Sequence, residues 1–228
     1  MPVTRTPPAL IVSDLGGTTV ADPGLIVPAL RTALGHVGVV EVSDDAVASV
    51  RGADKRVAVA TLLSEHGADP DLTERALEIF KEIVLADVQD GHYHALPGAE
   101  RFLRDARQVG VPLVITTGFP VDVCDALLQH LGWVDLVVTS VSAEEVDHGR
   151  PAPDLIEEAM ARARVRDAAL VANIGDTAND LASGRAAGVG WNIAVLTGAH
   201  SRRLLQAQPG DIVLDDLGQV AGLLGIGT

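Results

Sequence analysis

Through the last two thirds of the chain, short apolar runs alternate with helical stretches, and few folds accommodate that alternation. The runs Val111 to Thr116, Asp135 to Thr139, Ala168 to Ile174 and Gly190 to Leu196 have the length and branched aliphatic content of buried strands. Between them lie helical patterns such as Ala99 to Arg107, with Ala99, Phe102, Leu103 and Ala106 on one face, Val121 to Leu131, and Asp180 to Ala187. Strands joined through helices pair in parallel, because the helix carries the chain back to the starting edge. With Ala9 to Ser13 as a further strand, the expected class is α/β, built on a doubly wound parallel sheet. The chain is 47% hydrophobic but only 3% aromatic, so Val, Leu, Ile and Ala must fill the core, which suits a sheet covered by helices on both faces.

Residues 22–93 follow another pattern. No strand stands out there, and in Asp71 to Val88 the residues Leu72, Ala76, Ile79, Phe80, Ile83 and Val84 form one apolar stripe. The expectation is an all-helical insert, 22–93, set into a core made of 1–21 and 94–228. Ala21-Asp22-Pro23-Gly24 and Leu96-Pro97-Gly98 carry the turn residues that hinges at its two ends would use.

Charge and cysteine usage narrow the setting. At 228 residues the chain can bury a full core. Its 31 acidic and 17 basic residues leave a formal charge of -14, which repels nucleic-acid backbones and anionic lipid surfaces alike. There is no apolar run of about 18 residues, the length of a membrane span, and Met1-Pro2-Val3-Thr4-Arg5 lacks the charged and apolar regions of a secretion signal. Cys124 is the single cysteine, so no internal disulfide can form. The expected location is cytoplasmic, with no nucleic acid and no membrane among the partners. Of the 17 basic residues only Lys55 and Lys81 are lysines. A Lys kept where Arg supplies nearly all other positive charge can be needed as an amine, because only Lys deprotonates and attacks a carbonyl. Lys81, in the amphipathic 71–88 stretch, reads as ornamental, and Lys55 stands in a charged segment, Asp54-Lys55-Arg56, that a solvated helix would also explain.

Four short motifs fall at the carboxyl ends of the expected strands, where a sheet of this class opens its ligand crevice. Asp14 ends the first strand and opens the turn Leu15-Gly16-Gly17-Thr18-Thr19, the placement of a nucleophilic carboxylate or of a simple turn cap. Thr116-Thr117-Gly118 can offer a hydroxyl and backbone N–H groups to an anion. Gly149-Arg150-Pro151-Ala152-Pro153 supplies a cation in a stiff loop. Gly175-Asp176-Thr177-Ala178-Asn179-Asp180 sets two carboxylates four apart at a strand-to-helix turn, which suits a hard cation and suits helix capping nearly as well.

In order and placement these motifs resemble those of the haloacid dehalogenase-like hydrolases, a pattern covering almost the whole chain with the insert as the helical cap. The resemblance implies a Rossmann-like core in which Asp14 becomes an aspartyl-phosphate. Gly16, Thr117, Gly118 and Arg150 would surround the phosphoryl group, and Mg²⁺ would sit on Asp14, the Gly16 carbonyl and Asp176, with Asp180 in support. Phosphatases of this kind usually carry a second Asp, a proton donor to the leaving group, where this chain has Gly16. Within the family the likeness is to the phosphonatase branch, the phosphonoacetaldehyde hydrolases. These have a small residue at that place, Thr-Thr-Gly, Gly-Arg-Pro, and a cap lysine three positions after a glycine, matched here by Gly52-Ala53-Asp54-Lys55. Leu196-Thr197-Gly198-Ala199-His200 is similar to a phosphonatase-like sister group.

That branch implies a Schiff base on Lys55. An imine is an electron sink, so C–P cleavage releases an enamine rather than an alkoxide and needs no acid at position 16. The amine must then titrate below its ordinary range, through desolvation under the cap or cations such as Arg56. Two places depart from the branch: Ala58 stands for a histidine and Phe119 for an aromatic hydroxyl, which leaves the substrate open between a small phosphonate and a small phosphate. His92 and His94 are candidates for the missing proton carrier, and equally suit a polar surface. A phosphomonoesterase of the phosphoglycolate type and a catalytically silent phospho-ligand binder are the other readings. A homodimer is among the assemblies left open.

Overall fold

The computed structural model describes residues 7–50, 52–206 and 211–227, so the Met1–Arg5 stretch lies outside the described residues. Apolar runs make six strands: β1 (Leu10–Asp14), β2 (Leu113–Thr117), β3 (Thr139–Ser142), β4 (Val171–Gly175), β5 (Trp191–Val195) and β6 (Ile212–Leu214). All pair in parallel in the order β3-β2-β1-β4-β5-β6, the doubly wound sheet expected from the alternation. Helices α1 (Ile26–His36), α2 (Asp44–Ser49), α3 (Lys55–Glu65) and α4 (Thr73–Gln89) follow β1. The later ones are α5 (Ala99–Gln108), α6 (Val121–His130), α7 (Asp154–Ala163), α8 (Ala178–Ala187), α9 (Arg202–Leu205) and α10 (Leu217–Leu224).

The two-residue period of β1 feeds two cores. Leu10 and Val12 join Val114, Val141 and Val171 beneath Leu155, Ile156 and Ala159 of α7. Ile11 and Leu15 turn the other way, into a larger cluster that continues through α1, α3 and α4. Chain reversal after β1 brings the ends of the 22–93 segment together: Ala21 N donates to His94 O at 2.9 Å and Leu96 N to Thr19 O at 2.9 Å. On α4, Ala76, Ile79, Phe80 and Val84 are buried as the stripe requires, while Leu72 and Ile83 are only half-buried at its edge.

Lys81 is not ornamental. Its ammonium bridges α4 to α6, 2.9 Å from Asp122, with Glu78 at 3.3 Å. The apolar run from Asp135 is not where β3 begins, since Leu136 N closes a turn on Trp133 O at 2.8 Å and the strand starts only at Thr139. Burial of Leu136 and Val137 from a loop gives that run its strand-like composition. At the next run, Ala168–Leu170 form a short 3-10 turn before β4.

Candidate active site

The strand order reverses beside β1, so the carboxyl ends of β1, β2 and β4 converge on one crevice. Asp14 sits there at 7% exposure. Its turn is closed by Gly17 N to Val20 O at 2.7 Å and Thr19 N to Leu15 O at 3.0 Å. Gly17 takes φ +81°, and a Cβ on it would stand 2.8 Å from an Asp176 oxygen, so only glycine lets the turn pass beneath that carboxylate.

Arg150 is bound on all sides. It donates to Asp14 Oδ1 at 2.7 Å, to Thr116 Oγ1 at 2.7 Å and to Thr116 O at 3.1 Å. Its Nε meets Asp180 Oδ1 at 2.8 Å. The guanidinium therefore lies directly against the Asp14 carboxylate, oriented by Asp180 and by Thr116, a residue whose role the Thr-Thr-Gly motif did not separate from that of Thr117. Thr117 itself lines the cavity and its Oγ1 accepts from Phe119 N at 3.1 Å.

Asp176 faces Asp14, and among the described residues no cation forms an ion pair with it. Its oxygens accept from Thr18 Oγ1 at 3.3 Å and from Ala199 N at 2.6 Å, two residues that the sequence motifs contain but to which they assign no role. Burial, then the charges of Asp14 and Asp180, push its carboxyl well above the ordinary range. Burial raises Asp14 as well, partly offset by Arg150. Both oxygens of Asp180 are engaged: Oδ1 meets Arg150, and Oδ2 accepts from Thr177 N at 2.9 Å and Thr177 Oγ1 at 2.5 Å in a capping box that starts α8. Two crowded, buried carboxylates in a cavity that Gly16 also lines are a donor set suited to a hard divalent cation such as Mg²⁺, which would relieve the like-charge crowding. Among the described residues no three His, Cys, Asp or Glu side chains form a ready cage, so backbone and substrate oxygens would complete the shell.

The helical segment closes the crevice from above. Lys55 N donates to Gly118 O at 3.0 Å, and a Cβ on Gly118 would lie 3.0 Å from Asp54 Cα and 3.1 Å from Ala53 O. Asp54 caps α3 by accepting from Val57 N, which makes Lys55 the first helical residue. A cation at a helix N-terminus opposes the helix dipole, so this is a poor place for a merely solvated lysine. Lys55 lines the same cavity as Asp14, Asp176 and Arg150, a space of about 490 Å³. Its Nζ stands 4.9 Å over the Phe119 ring and 3.5 Å from Ala53 O. That ring in turn is what a side chain at Gly16 would meet, at 3.4 Å. Burial lowers the Lys55 pKa, with Asp14 and Asp54 pulling it up and Arg150 pushing it down. The neighbouring cation is thus Arg150, whereas Arg56 is turned outward onto Glu74. His92 and His94 are exposed, and neither lines the cavity; the residue between them, Tyr93, does.

Comparison with known proteins agrees with this geometry. A model of haloacid dehalogenase-like hydrolases matches residues 8–188. A probable phosphatase of Dickeya dadantii is 29% identical over 219 residues, 93% of this chain and 92% of the other. A phosphoglycolate phosphatase of Rhodospirillum rubrum is 27% identical over 226 residues, 96% of this chain and 91% of its own. A phosphonoacetaldehyde hydrolase of Bordetella avium is 27% identical over only 128 residues, 55% of this chain and 44% of that one. Among solved structures, a hydrolase from Pseudomonas syringae superposes with a TM-score of 0.82 over 98% of this chain and 100% of the other at 21% identity, a likeness of fold. Because the family model spans most of the chain and takes in Asp14, Arg150 and Asp176 at one sheet edge, this protein belongs to the haloacid dehalogenase-like hydrolases.

Proposed function

We propose that this hydrolase transfers a phosphoryl group to Asp14 and cleaves the C–P bond of a small phosphonate through an imine on Lys55. The observation that carries the reading is the pairing of Gly16 with Lys55: the place of a leaving-group acid holds no side chain, and a half-buried lysine, its pKa lowered by burial, lines the same cavity. The Lys55 amine would condense with a carbonyl β to phosphorus, separated from it by one saturated carbon, releasing water. As the Asp14 carboxylate attacks phosphorus, the C–P bonding pair would pass into the imine to give an enamine. Protonation of the enamine carbon and hydrolysis of the imine would free Lys55, and water would cleave the aspartyl-phosphate.

Mg²⁺, held by Asp14, the Gly16 carbonyl and Asp176, would supply charge neutralisation for the transferring group. Arg150, fixed by Asp180 and Thr116, would add a preorganised positive charge, and Thr117 and Gly118 would receive phosphoryl oxygens. Residues 22–93 would act as a cap on the core formed by 1–21 and 94–228, hinged at their paired ends and excluding water when docked.

A second reading, a phosphomonoesterase, is favoured by the whole-chain likeness to a phosphoglycolate phosphatase, against a half-chain likeness to a phosphonoacetaldehyde hydrolase. Lys55→Arg separates the two, because guanidinium keeps the charge but cannot form an imine. If Lys55 is the Schiff base, Lys55→Arg loses C–P cleavage as fully as Lys55→Ala. A purely electrostatic lysine would let Arg keep substantial activity, and efficient turnover of phosphate monoesters by that variant would select the second reading.

A further inference from the structure

Beyond β5 the chain passes through Leu196-Thr197-Gly198-Ala199-His200, and three hydrogen bonds tie this loop to the two turns that carry Asp14 and Asp176. Thr197 Oγ1 donates to Gly17 O at 2.7 Å, in the turn that follows Asp14. Ala199 N donates to Asp176 Oδ2 at 2.6 Å. His200 Nδ1 accepts from Ala178 N at 3.0 Å, one of the amides that α8 leaves open in its first turn. The packing between the loops leaves no slack. A Cβ on Gly198 would overlap the Asp176 carboxylate, and a Cβ on Gly17 would stand 2.8 Å from Asp176 Oδ2 and 3.1 Å from Gly198 Cα. The carboxylate is thus held at both oxygens, Oδ1 by Thr18 Oγ1 at 3.3 Å and Oδ2 by Ala199 N. Held in this way, it can offer one oxygen to a cation but does not swing freely to chelate through both. Mg²⁺ demands a tight octahedral shell, whereas the larger Ca²⁺ accepts carboxylates through one or both oxygens in a flexible shell.

We infer that the 197–200 loop is a brace that presets Asp176 and the Gly16-Gly17 turn for a small divalent cation, with Thr197 and His200 as its positioning residues. Thr197 acts through the Gly17 carbonyl, one residue past Gly16, and His200 through the start of α8, two residues past Asp176. Partners that orient a metal ligand in this way typically govern about 10- to 100-fold in metal affinity. Loosening the brace weakens Mg²⁺ more than Ca²⁺, because the larger ion tolerates a mobile ligand. The inference rests on the cation site proposed above, and it does not depend on C–P cleavage or on the imine.

Titration calorimetry on the full metal-free chain tests it, with MgCl₂ or CaCl₂ as the added ligand. Thr197→Val keeps the shape of the side chain and removes the donor, so it should weaken Mg²⁺ by about tenfold or more. The ratio of Mg²⁺ to Ca²⁺ affinity should fall by about threefold or more in the same variant. Thr197→Ser keeps the donor and should stay within about twofold of the wild type. A threonine that only supports the fold would lower the melting temperature and leave the ratio where it was. His200→Ala, at a half-buried loop position, should lower the ratio as well and decides the matter if Thr197→Val does not fold. Failure of the wild type to bind Mg²⁺ would overturn the cation site itself. Wild-type Mg²⁺ binding with an unchanged ratio in Thr197→Val, or in His200→Ala where Thr197→Val does not fold, would overturn the brace alone. So would a Thr197→Ser variant that binds Mg²⁺ as weakly as Thr197→Val.

Discussion

Removing Arg150 should destabilise the protein far more than removing an exposed arginine. Its side chain is 9% exposed and makes ion pairs with Asp14 at 2.7 Å and Asp180 at 2.8 Å, besides two hydrogen bonds to Thr116. Arg150→Ala strands the carboxylates of Asp14, Asp176 and Asp180 in one buried pocket. Breaking a buried pair by deleting one partner typically costs about 3–5 kcal/mol, because the remaining charge is uncompensated. With a urea slope of about 2 kcal/mol/M, the unfolding midpoint should fall by roughly 1.5–2.5 M. The loss should shrink at pH 5, where the stranded carboxyls can take up protons, and should be largest near pH 8. Arg104→Ala is the control: its pair with Glu100 at 2.5 Å is solvent-exposed, one helical turn apart, and of a class worth about 0.3–0.5 kcal/mol. Urea unfolding followed by circular dichroism without metal gives both midpoints. A shift for Arg150→Ala below about 0.5 M at both pH values, comparable to the control, would mean that Arg150 does not hold the carboxylates together, and the electrostatic description of the site would be wrong.

Two further outcomes follow from the same geometry. Gly118→Val places branched atoms against Asp54 Cα, already 3.0 Å from an ideal Cβ, and should push the Lys55 turn off the core. A displacement near 1 Å can cost about 10²-fold in rate, so steady-state kinetics should show that loss with helical content unchanged; wild-type kcat/KM would contradict the docking. Asp14 and Asp176 are both held above their ordinary 3.8 when folded, so the metal-free folded protein binds more protons than the unfolded chain. Its stability should therefore fall as pH rises through the interval from the unfolded to the folded values. Mg²⁺ should restore stability at high pH, by about 2.7 kcal/mol at a hundredfold excess over its dissociation constant, and not at pH 4; equal stabilisation at pH 4 and pH 8 in thermal melts would place the metal elsewhere.

Much of this arrangement was legible in the chain because β1, β2, β4 and β5 are short, wholly buried and bounded by Gly, Thr or Asp. Their carboxyl ends fix where Asp14, Thr117 and Asp176 must meet. The β3 boundary was not legible, because Leu136 and Val137 are apolar for burial from a loop. Nor was β6, three half-buried residues whose parallel pairing with β5 leaves no alternation to detect. At the site, residue type alone did not reveal which partners each side chain takes. Asp180 has the spacing of a metal ligand, and its oxygens are also engaged by Thr177 and Arg150. Arg56 sits beside Lys55 in sequence, yet a helix turns it outward to Glu74. Tyr93 was hidden between two histidines because a His-Tyr-His loop reads as polar, and its inward orientation comes from the pairing of chain ends that brings His94 against Ala21.

The central claim, amine catalysis over an aspartate nucleophile, is tested most directly by borohydride reduction of the protein in the presence of phosphonoacetaldehyde and its alkyl-extended analogues, followed by peptide mass mapping. The account predicts a reduced adduct on Lys55 in the wild type and in Asp14→Asn, which should retain the imine while losing turnover, and no adduct in Lys55→Arg. An unmodified Lys55 in protein that is turning over the same compound would contradict it.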